Sequence, residues 1–278
     1  MTKSMTGTME MADKTPRATL AEARTLTREL RSLADVAEPP SIAQGALARL
    51  GLMDEYFTVE SPLGLVYVAY NAHGVSAVRR ARDAETFERD FTEEFGRRVI
   101  PEKEHDATLA HNVAGVIQGE RRRALRFDLR GVSEFERAVL MKALEIPRGE
   151  VRPYGWVARE IGRPSASRAV GSALKRNPVP LLIPCHRVVR SDGQIGEYAL
   201  GGEEAKKTVL TAESVDADRL EALAREGIRF SGSDTTHIFC YPTCRHARRT
   251  TPAHMMWFAS ETAARSAGYR PCRVCRPA

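Results

Sequence analysis

The chain has 278 residues, of which 42 % are hydrophobic and 28 % charged, and its formal net charge is +6. This composition is typical of a soluble globular protein and excludes collagen, full disorder and a disulfide-stapled miniprotein. The length allows one large domain or two smaller ones. No apolar stretch is long enough to span a membrane and the first residues lack a signal-peptide core, so we expect a cytoplasmic protein without membrane contact.

The first half of the chain contains predicted helices and then predicted strands. We expect residues 1–55 to form a partly disordered N-terminal extension with short helices, broken at Pro39 and Pro40. Residues 56–132 are predicted to form an α/β subdomain with an antiparallel sheet. Its strands are expected at 56–60, 65–70, 75–79 and 125–129, and its helices around 87–95 and 109–117.

Residues 133–215 show mainly helical signals. Ser133 and Glu136 have the spacing of a capping box, which predicts a helix start. Two short helices over 154–161 and 166–176, separated by a turn at Gly162, predict a helix-turn-helix. The second helix is small and basic, which suits close approach to a nucleic acid but is also typical of close helix packing.

The charge is unevenly distributed. Residues 121–190 have a net charge of +10 and residues 228–278 one of +6, while residues 1–120 and 191–227 each have −5. Two basic segments indicate either a polyanionic partner such as DNA or two solvated arginine-rich faces. All five cysteines lie in the basic segments, so each segment is a candidate functional module.

Cys185 is the candidate nucleophile of the first basic segment. It follows the predicted short strand 181–183 and precedes His186 and Arg187, a setting that favours a thiolate. Because neighbours on an extended chain point to opposite faces, His186 can assist Cys185 only if the chain turns or a water intervenes. The alternative is an inert buried cysteine.

The run Pro184-Cys-His-Arg-Val-Val189 closely resembles the active-site motif of the O6-alkylguanine-DNA alkyltransferases, also called methylated-DNA–protein-cysteine methyltransferases. Further motifs occur in the order of that family, and the resemblance is strong over residues 125–215. They are Ile146-Pro-Arg-Gly-Glu150, Tyr154, Arg168-Ala-Val-Gly171, Asn177-Pro178, Gly196-x-Tyr198 and Gly201-Gly202-x-x-x-Lys206.

The resemblance implies a role for each matching residue. Cys185 would accept the methyl group, His186 would act as base, and Glu213 would orient His186. Arg187 would support the active-site loop, Asn177 would tie that loop to the DNA-binding helix, and Tyr154 would rotate a phosphate and donate a proton. Arg168 would fill the space of a flipped base, which must leave the stack to react. DNA contacts are also expected from Ala169, Gly171, Ser172, Lys175 and Arg176, and a pocket wall from Tyr198, Gly201 and Gly202.

The second basic segment contains a four-cysteine pattern, Cys240-x-x-x-Cys244 and Cys272-x-x-Cys275. Four thiolates in two close pairs can hold a tetrahedral Zn²⁺. A segment of about 50 residues buries only a small core, and a bound metal ion would compensate for that. Two disulfides or an iron–sulfur cluster are the alternatives. No organic cofactor is expected.

The residues around these cysteines resemble the zinc module of the bacterial Ada response proteins. The resemblance includes Phe230, Thr236, the run Ile238-Phe-Cys240-x-Pro242-x-Cys244-Arg245 and the run Ala267-Gly-Tyr-Arg-Pro-Cys272. It implies that Cys240 is both a zinc ligand and a second methyl acceptor, for DNA phosphotriesters, with Arg245, Arg248 and Arg249 on nearby phosphates. In Ada proteins the module is N-terminal, whereas here it is C-terminal.

We therefore expect an α/β protein with three parts: an α+β N-terminal unit, a mainly helical alkyltransferase domain with a helix-turn-helix, and a small C-terminal zinc domain with four cysteine ligands. The expected domains are 133–215 for catalysis and DNA binding, 216–227 for a linker helix and 228–278 for the zinc module. The expected function is the repair of O6-methylguanine, and of O4-methylthymine, in double-stranded DNA. We expect the protein to be a monomer and to act in a single turnover. The alternatives are a methylation-responsive DNA-binding regulator and a lesion-recognition protein with a purely structural zinc module.

Overall fold

The computed structural model describes residues 52–102, 106–120 and 125–277, so the predictions for residues 1–51 lie outside the described residues. No helix among those ranges is long and apolar enough to cross a membrane.

The N-terminal subdomain is a four-stranded sheet with two helices. Its elements are β1 (Met53–Ser61), β2 (Gly64–Asn71), β3 (Gly74–Arg79), α1 (Ala84–Phe95), β4 (Arg98–Pro101) and α2 (Ala107–Gln118). The strand order is β3-β2-β1-β4, in which β1–β2 and β2–β3 are antiparallel but β4 is parallel to β1. The sheet is therefore mixed and not wholly antiparallel as predicted, because helix α1 returns the chain to enter β4 in the direction of β1.

The predicted strand 125–129 is reduced to one bridge between Val75 and Phe127. The bridge requires Gly74, whose φ is +131° and where a Cβ atom would lie 2.3 Å from the carbonyl oxygen of Arg126. The aromatic stripe of α1 packs in the core as expected, with Phe87 stacked on Tyr67 at 4.7 Å between ring centroids.

The central region is mainly helical. It contains α3 (Glu134–Leu144), β5 (Arg152–Pro153), α4 (Tyr154–Glu160), α5 (Ser167–Lys175), a 3-10 turn (Cys185–Arg187), β6 (Val188–Val189) and α6 (Gly202–Ala212). Helices α4 and α5 form the predicted helix-turn-helix, and α5 packs its buried residues Val170, Ala173 and Leu174 toward α3 and α4. The expected strand at 181–183 is absent, since Leu181 has a φ of 71° and interrupts the extended run.

The C-terminal part begins with α7 (Ala217–Arg225) and continues as a small sheet with one helix. Its elements are β7 (Phe230–Ser233), β8 (Ile238–Cys240), β9 (Met255–Phe258), α8 (Glu261–Ser266) and β10 (Arg270–Pro271), and the strand order is β10-β8-β7-β9. Phe239, Phe258, Ala264 and Tyr269 form its own small core. The four cysteines instead join the large apolar cluster that includes α3, α4 and α5.

The capping box predicted at Ser133 is confirmed. The Ser133 hydroxyl accepts a hydrogen bond from the Glu136 N–H at 3.3 Å, and the Glu136 carboxylate accepts one from the Ser133 N–H at 3.1 Å. We expect Ser133→Ala to lower the free energy of unfolding by about 1 kcal/mol, because it leaves a helix N–H without its partner. Chemical denaturation measures this loss. Ser133→Asp keeps a capping oxygen and should stay near wild type; equal stability of all three proteins would contradict the assignment.

Candidate active site and metal centre

Cys185 is the first residue of the 3-10 turn and is 5 % exposed. The Asn177 side-chain amide donates hydrogen bonds to its Sγ at 3.2 Å and to the Ile183 carbonyl at 2.9 Å. Asn177 Oδ1 accepts the Val179 N–H at 3.1 Å, so this one side chain fastens the loop before Cys185 at three points. Burial raises the pKa of the Cys185 thiol, while the Asn177 hydrogen bond and the charge of Lys206 oppose that shift.

His186, Arg187 and Glu213 form a buried charged cluster beside Cys185. His186 Nε2 lies 3.1 Å from Glu213 Oε1, and the Arg187 guanidinium donates to both carboxylate oxygens at 2.7 Å. Because an ionised carboxylate only accepts hydrogen bonds, Nε2 carries the imidazole proton and Nδ1 is the basic nitrogen. Nδ1 is buried and has no hydrogen-bond partner among the described residues.

The ionisation of this cluster follows from its burial. Burial lowers the pKa of His186 despite the nearby carboxylate, so the imidazole is neutral at pH 7. Burial opposes ionisation of Glu213, but hydrogen bonds from His186 and Arg187 outweigh it and lower the pKa of Glu213 to about 2. The site therefore pairs a neutral imidazole with a charged carboxylate. Cys185 and His186 both lie in the 3-10 turn, so the chain changes direction here and does not continue as an extended strand.

A cavity of about 890 Å³ opens in front of Cys185. Among the predicted residues, its lining includes Cys185, Tyr154, Arg168, Gly171, Lys175 and Tyr198. Ala169 and Ser172 lie on the exposed side of α5, and Arg176 pairs with Glu136 at 2.6 Å. Gly201 and Gly202 are outside the lining, at the start of α6, where Gly201 has a φ of +135°.

Lys206 is a member of this site that the sequence reasoning did not assign. It is 1 % exposed, donates to the Val188 carbonyl at 2.7 Å and lies 5.9 Å from the ring centre of Tyr154. Burial lowers its pKa to about 8. The Gly201-Gly202-x-x-x-Lys206 spacing was the available signal, but a lysine on an amphipathic helix is usually solvated.

The four cysteines of the C-terminal part form a second candidate site. Their sulfur atoms lie within 4.8 Å of one another and all four residues are buried. Four converging thiol groups without a disulfide are the donor set of a structural metal centre. The Val274 N–H also points at Cys272 Sγ, at 3.4 Å, which suits a sulfur that carries negative charge. The residues present therefore fit a bound metal ion.

The arginines near the first cysteine pair differ in whether they line a cavity beside Cys240. A cavity of about 520 Å³ is lined by Cys240 together with Arg249, Arg270 and Arg273. Arg245 and Arg248, predicted beside Arg249 as phosphate contacts, are not in its lining. The Arg245 N–H instead donates to Glu150 at 3.1 Å, and the Arg248 guanidinium lies beside Gly149. Sequence proximity did not separate Arg249 from Arg245 and Arg248, whereas Arg270 comes close to Cys240 because β10 pairs with β8, and Arg273 follows the end of that pairing after one intervening residue.

Two family models match the chain. The 6-O-methylguanine DNA methyltransferase DNA-binding domain matches residues 134–215, and the metal binding domain of Ada matches residues 222–278. The methylated-DNA–protein-cysteine methyltransferase of Mycolicibacterium paratuberculosis is 37 % identical over 163 residues, which are 58 % of this chain and 93 % of that relative. The chain belongs to the methylated-DNA–protein-cysteine methyltransferase family.

Other members match over shorter or similar ranges. The Rattus norvegicus methylated-DNA–protein-cysteine methyltransferase is 50 % identical over 82 residues, so the match spans 29 % of this chain and only 39 % of that relative. The solved O6-methylguanine methyltransferase of Mycobacterium tuberculosis is 32 % identical, with a TM-score of 0.49, over 58 % of this chain and 93 % of that one.

The low pKa of Glu213 predicts an acid-dependent contribution to stability. A folded-state pKa of about 2, below the ordinary 4.5, gives stability that is present above pH 4.5 and is lost as the pH falls toward 2. We expect Glu213→Gln to cost about 3 kcal/mol at neutral pH, with the difference from wild type shrinking over that window. Unfolding measured as a function of pH tests this. Glu203→Gln, on the exposed side of α6, is the control, and a difference independent of pH would contradict the assignment.

Proposed function

We propose that this chain repairs alkylated DNA directly, by transferring the methyl group of O6-methylguanine in double-stranded DNA to Cys185. The observation that carries the proposal is that Cys185 lines one cavity together with Arg168, Gly171 and Lys175 of helix α5. Behind that cavity, Asn177 donates a hydrogen bond to the Cys185 sulfur, and His186, the next residue in the chain, is paired with Glu213. The +10 charge of residues 121–190 gives this half of the chain the electrostatics that a phosphate backbone requires.

The proposed chemistry is a displacement at the methyl carbon. The Cys185 sulfur forms a bond to the methyl carbon as the bond between that carbon and guanine O6 breaks. The thiol proton passes to His186 Nδ1 through a water, and the departing guanine takes up one proton, with Tyr154 as the nearby donor. The product is a thioether and an intact guanine, so each molecule acts once.

The charges around Cys185 suit this sequence of events. Burial keeps the thiol protonated at rest, which protects it from adventitious reaction, and the neutral His186 is free to accept the proton. The Lys206 ammonium and the Asn177 amide stabilise the thiolate as it forms. Glu213 stabilises the imidazolium that results, and Arg187 holds Glu213 in place.

The cavity suits a base that has left the double helix. A stacked guanine cannot present its O6 atom to a buried sulfur, so the nucleotide must flip. Arg168 lies at the cavity on the exposed side of α5, where its side chain can enter the space vacated by the base. The small side chains of Ala169, Gly171 and Ser172 let this helix approach the minor groove closely. We expect O4-methylthymine to be the second substrate.

A second activity is supported by the cavity at Cys240. We infer that Zn²⁺ is held by Cys240, Cys244, Cys272 and Cys275, since four thiolates suit this ion. Bound zinc supplies the charge that keeps the cysteine sulfurs deprotonated at neutral pH. The Cys240 sulfur would then take the methyl group of a DNA methylphosphotriester, leaving a phosphodiester anion. Arg249, Arg270 and Arg273 line the same cavity and offer charges for the adjacent phosphates.

Acceptor assignment is tested with two duplexes, one containing O6-methylguanine and one containing a methylphosphotriester. We expect wild type to gain one methyl group from each, mapped by mass spectrometry to Cys185 and Cys240. Cys185→Ala should lose only the first transfer, because the Cys240 cavity does not include that residue. Cys240→Ala should lose all transfer from the methylphosphotriester. It should still accept a methyl group from O6-methylguanine at Cys185, but at a lower rate. Methylation of Cys185→Ala by O6-methylguanine DNA would overturn the primary assignment, and DNA binding without any transfer would indicate a lesion-recognition protein.

The cations of the Cys240 cavity predict a charge dependence. Arg270→Gln should slow transfer to Cys240 roughly five- to tenfold at low salt, because one phosphate contact is lost. Arg265→Gln is the matched control, since Arg265 pairs with Glu261 at 2.6 Å and lies outside the cavity. Rates for the phosphotriester duplex as a function of salt measure the effect, and identical behaviour of the two variants would exclude Arg270 from the phosphate contacts.

A further inference from the structure

The cysteine-rich part (residues 228–277) contacts the alkyltransferase half (residues 133–215) at one short stretch of backbone. We call residues 149–153 the connector and residues 240–244, which contain the first cysteine pair, the knuckle. Thr243 of the knuckle accepts the Val151 N–H through its hydroxyl at 2.9 Å, in a buried position. The Arg245 N–H, just after the knuckle, donates to the buried Glu150 carboxylate at 3.1 Å. Two polar groups of the connector, the Val151 N–H and the Glu150 carboxylate, thus find hydrogen-bond partners in Thr243 and Arg245.

A buried arginine makes the same connection. Arg152 of the connector is 2 % exposed and is paired with Glu150. Its guanidinium lies 5.5 Å from the ring centre of Tyr241 in the knuckle and 5.7 Å from that of Trp156 in α4. A buried guanidinium is stable only where charge and aromatic faces surround it. Here those surroundings come from both halves of the chain, so neither half completes them alone.

The other side of the connector contacts the Cys185 loop. Strand β5, which is the end of the connector, pairs in parallel with β6, so Arg152 lies opposite Val188 and Pro153 opposite Val189. Strand β6 directly follows the 3-10 turn of Cys185 and His186. Tyr154, the proposed proton donor, directly follows Pro153.

The connector also touches the backbone of Glu213. Gly149 has a φ of +77°, and a Cβ atom there would lie 3.2 Å from the Glu213 carbonyl oxygen and 3.0 Å from the Arg248 guanidinium. The connector is therefore enclosed by the cysteine-rich part on one side and by the Cys185 loop and the end of α6 on the other.

We infer that the knuckle positions the Cys185 site, and that Thr243 is a positioning residue for methyl transfer to Cys185. The inference rests on the proposed function for the transfer itself, but the coupling is a property of the fold. Metal binding at Cys240 and Cys244 orders the knuckle, the knuckle orders the connector, and the connector holds β6 and Tyr154. Loss of the metal should therefore slow chemistry at a cysteine that is not one of its ligands.

Thr243 offers a test that spares all four cysteines. Thr243→Val removes the hydroxyl while keeping the branched shape, and Thr243→Ser keeps the hydroxyl. Thr262→Val is the matched control, because Thr262 is exposed on α8 of the same part. Each protein is checked for bound metal, for the transfer rate at saturating O6-methylguanine DNA, for the half-saturating DNA concentration, and for hydrogen exchange in residues 150–156.

We expect Thr243→Val to keep its metal, to exchange faster across residues 150–156, and to transfer about tenfold more slowly at saturating DNA. The half-saturating DNA concentration should change less than about twofold, since the exposed side of α5 is untouched. Thr243→Ser should restore the rate, and Thr262→Val should match wild type. Chelation of the metal from wild type should reproduce the Thr243→Val effects.

Unchanged exchange and rate in both Thr243→Val and metal-free protein would overturn the inference. A uniform loss that Thr243→Ser does not restore would also overturn it, because the hydroxyl would then have no specific role. If wild type transfers no methyl group to Cys185, the proposed function fails, and hydrogen exchange of residues 150–156 with and without metal still decides the coupling.

Discussion

The carboxylate of Glu213 is the constraint on which the Cys185 site depends. It lies at the end of α6, accepts hydrogen bonds from Arg187 and His186, and has the Arg148 guanidinium 3.6 Å away. A buried carboxylate is costly unless such partners surround it, so their positions are determined together. This requirement sets the imidazole proton on Nε2 and leaves Nδ1 as the basic nitrogen, which has no hydrogen-bond partner among the described residues. Removing Glu213 would thus change the chemistry of His186 as well as the packing of Arg187.

Asn177 fixes the position of the chain on the other side of Cys185. Its amide contacts the sulfur and the Ile183 carbonyl, and its oxygen accepts the Val179 N–H. Asn177 follows directly after helix α5 and its C-cap, so the residue that contacts the Cys185 sulfur is joined to the end of that helix. One buried side chain thus connects helix α5, the proposed DNA-binding helix, with Cys185, the proposed nucleophile.

The cysteine-rich part has a similar relation to the connector. Its own core is four residues, Phe239, Phe258, Ala264 and Tyr269, which is little for an independent domain. The cysteines instead extend the large core of the alkyltransferase half. Helix α7 lies within residues 216–227, where a linker helix is expected, and the parts on either side of it share a buried hydrogen bond between Val151 and Thr243 and a second hydrogen bond between Arg245 and Glu150. The metal centre is therefore placed where it can influence both candidate acceptor cysteines.

Local pattern was sufficient for much of this protein. The capping box at Ser133, the two short helices, the two cysteine pairs and the Pro184–Val189 motif are all readable from the chain, because each helix signal, each pair and the motif consist of residues close in sequence. Four features were not readable: the parallel strand β4, the single bridge at Phe127, the burial of Lys206, and the absence of Arg245 and Arg248 from the lining of the Cys240 cavity. Each of these depends on which distant segment lies opposite, and only the packed fold provides that information. The sequence by itself determined the reactive groups and their order, whereas the tertiary structure decided that the knuckle and Cys185 share one connector, since hydrogen bonds across 92 residues leave no periodic signal.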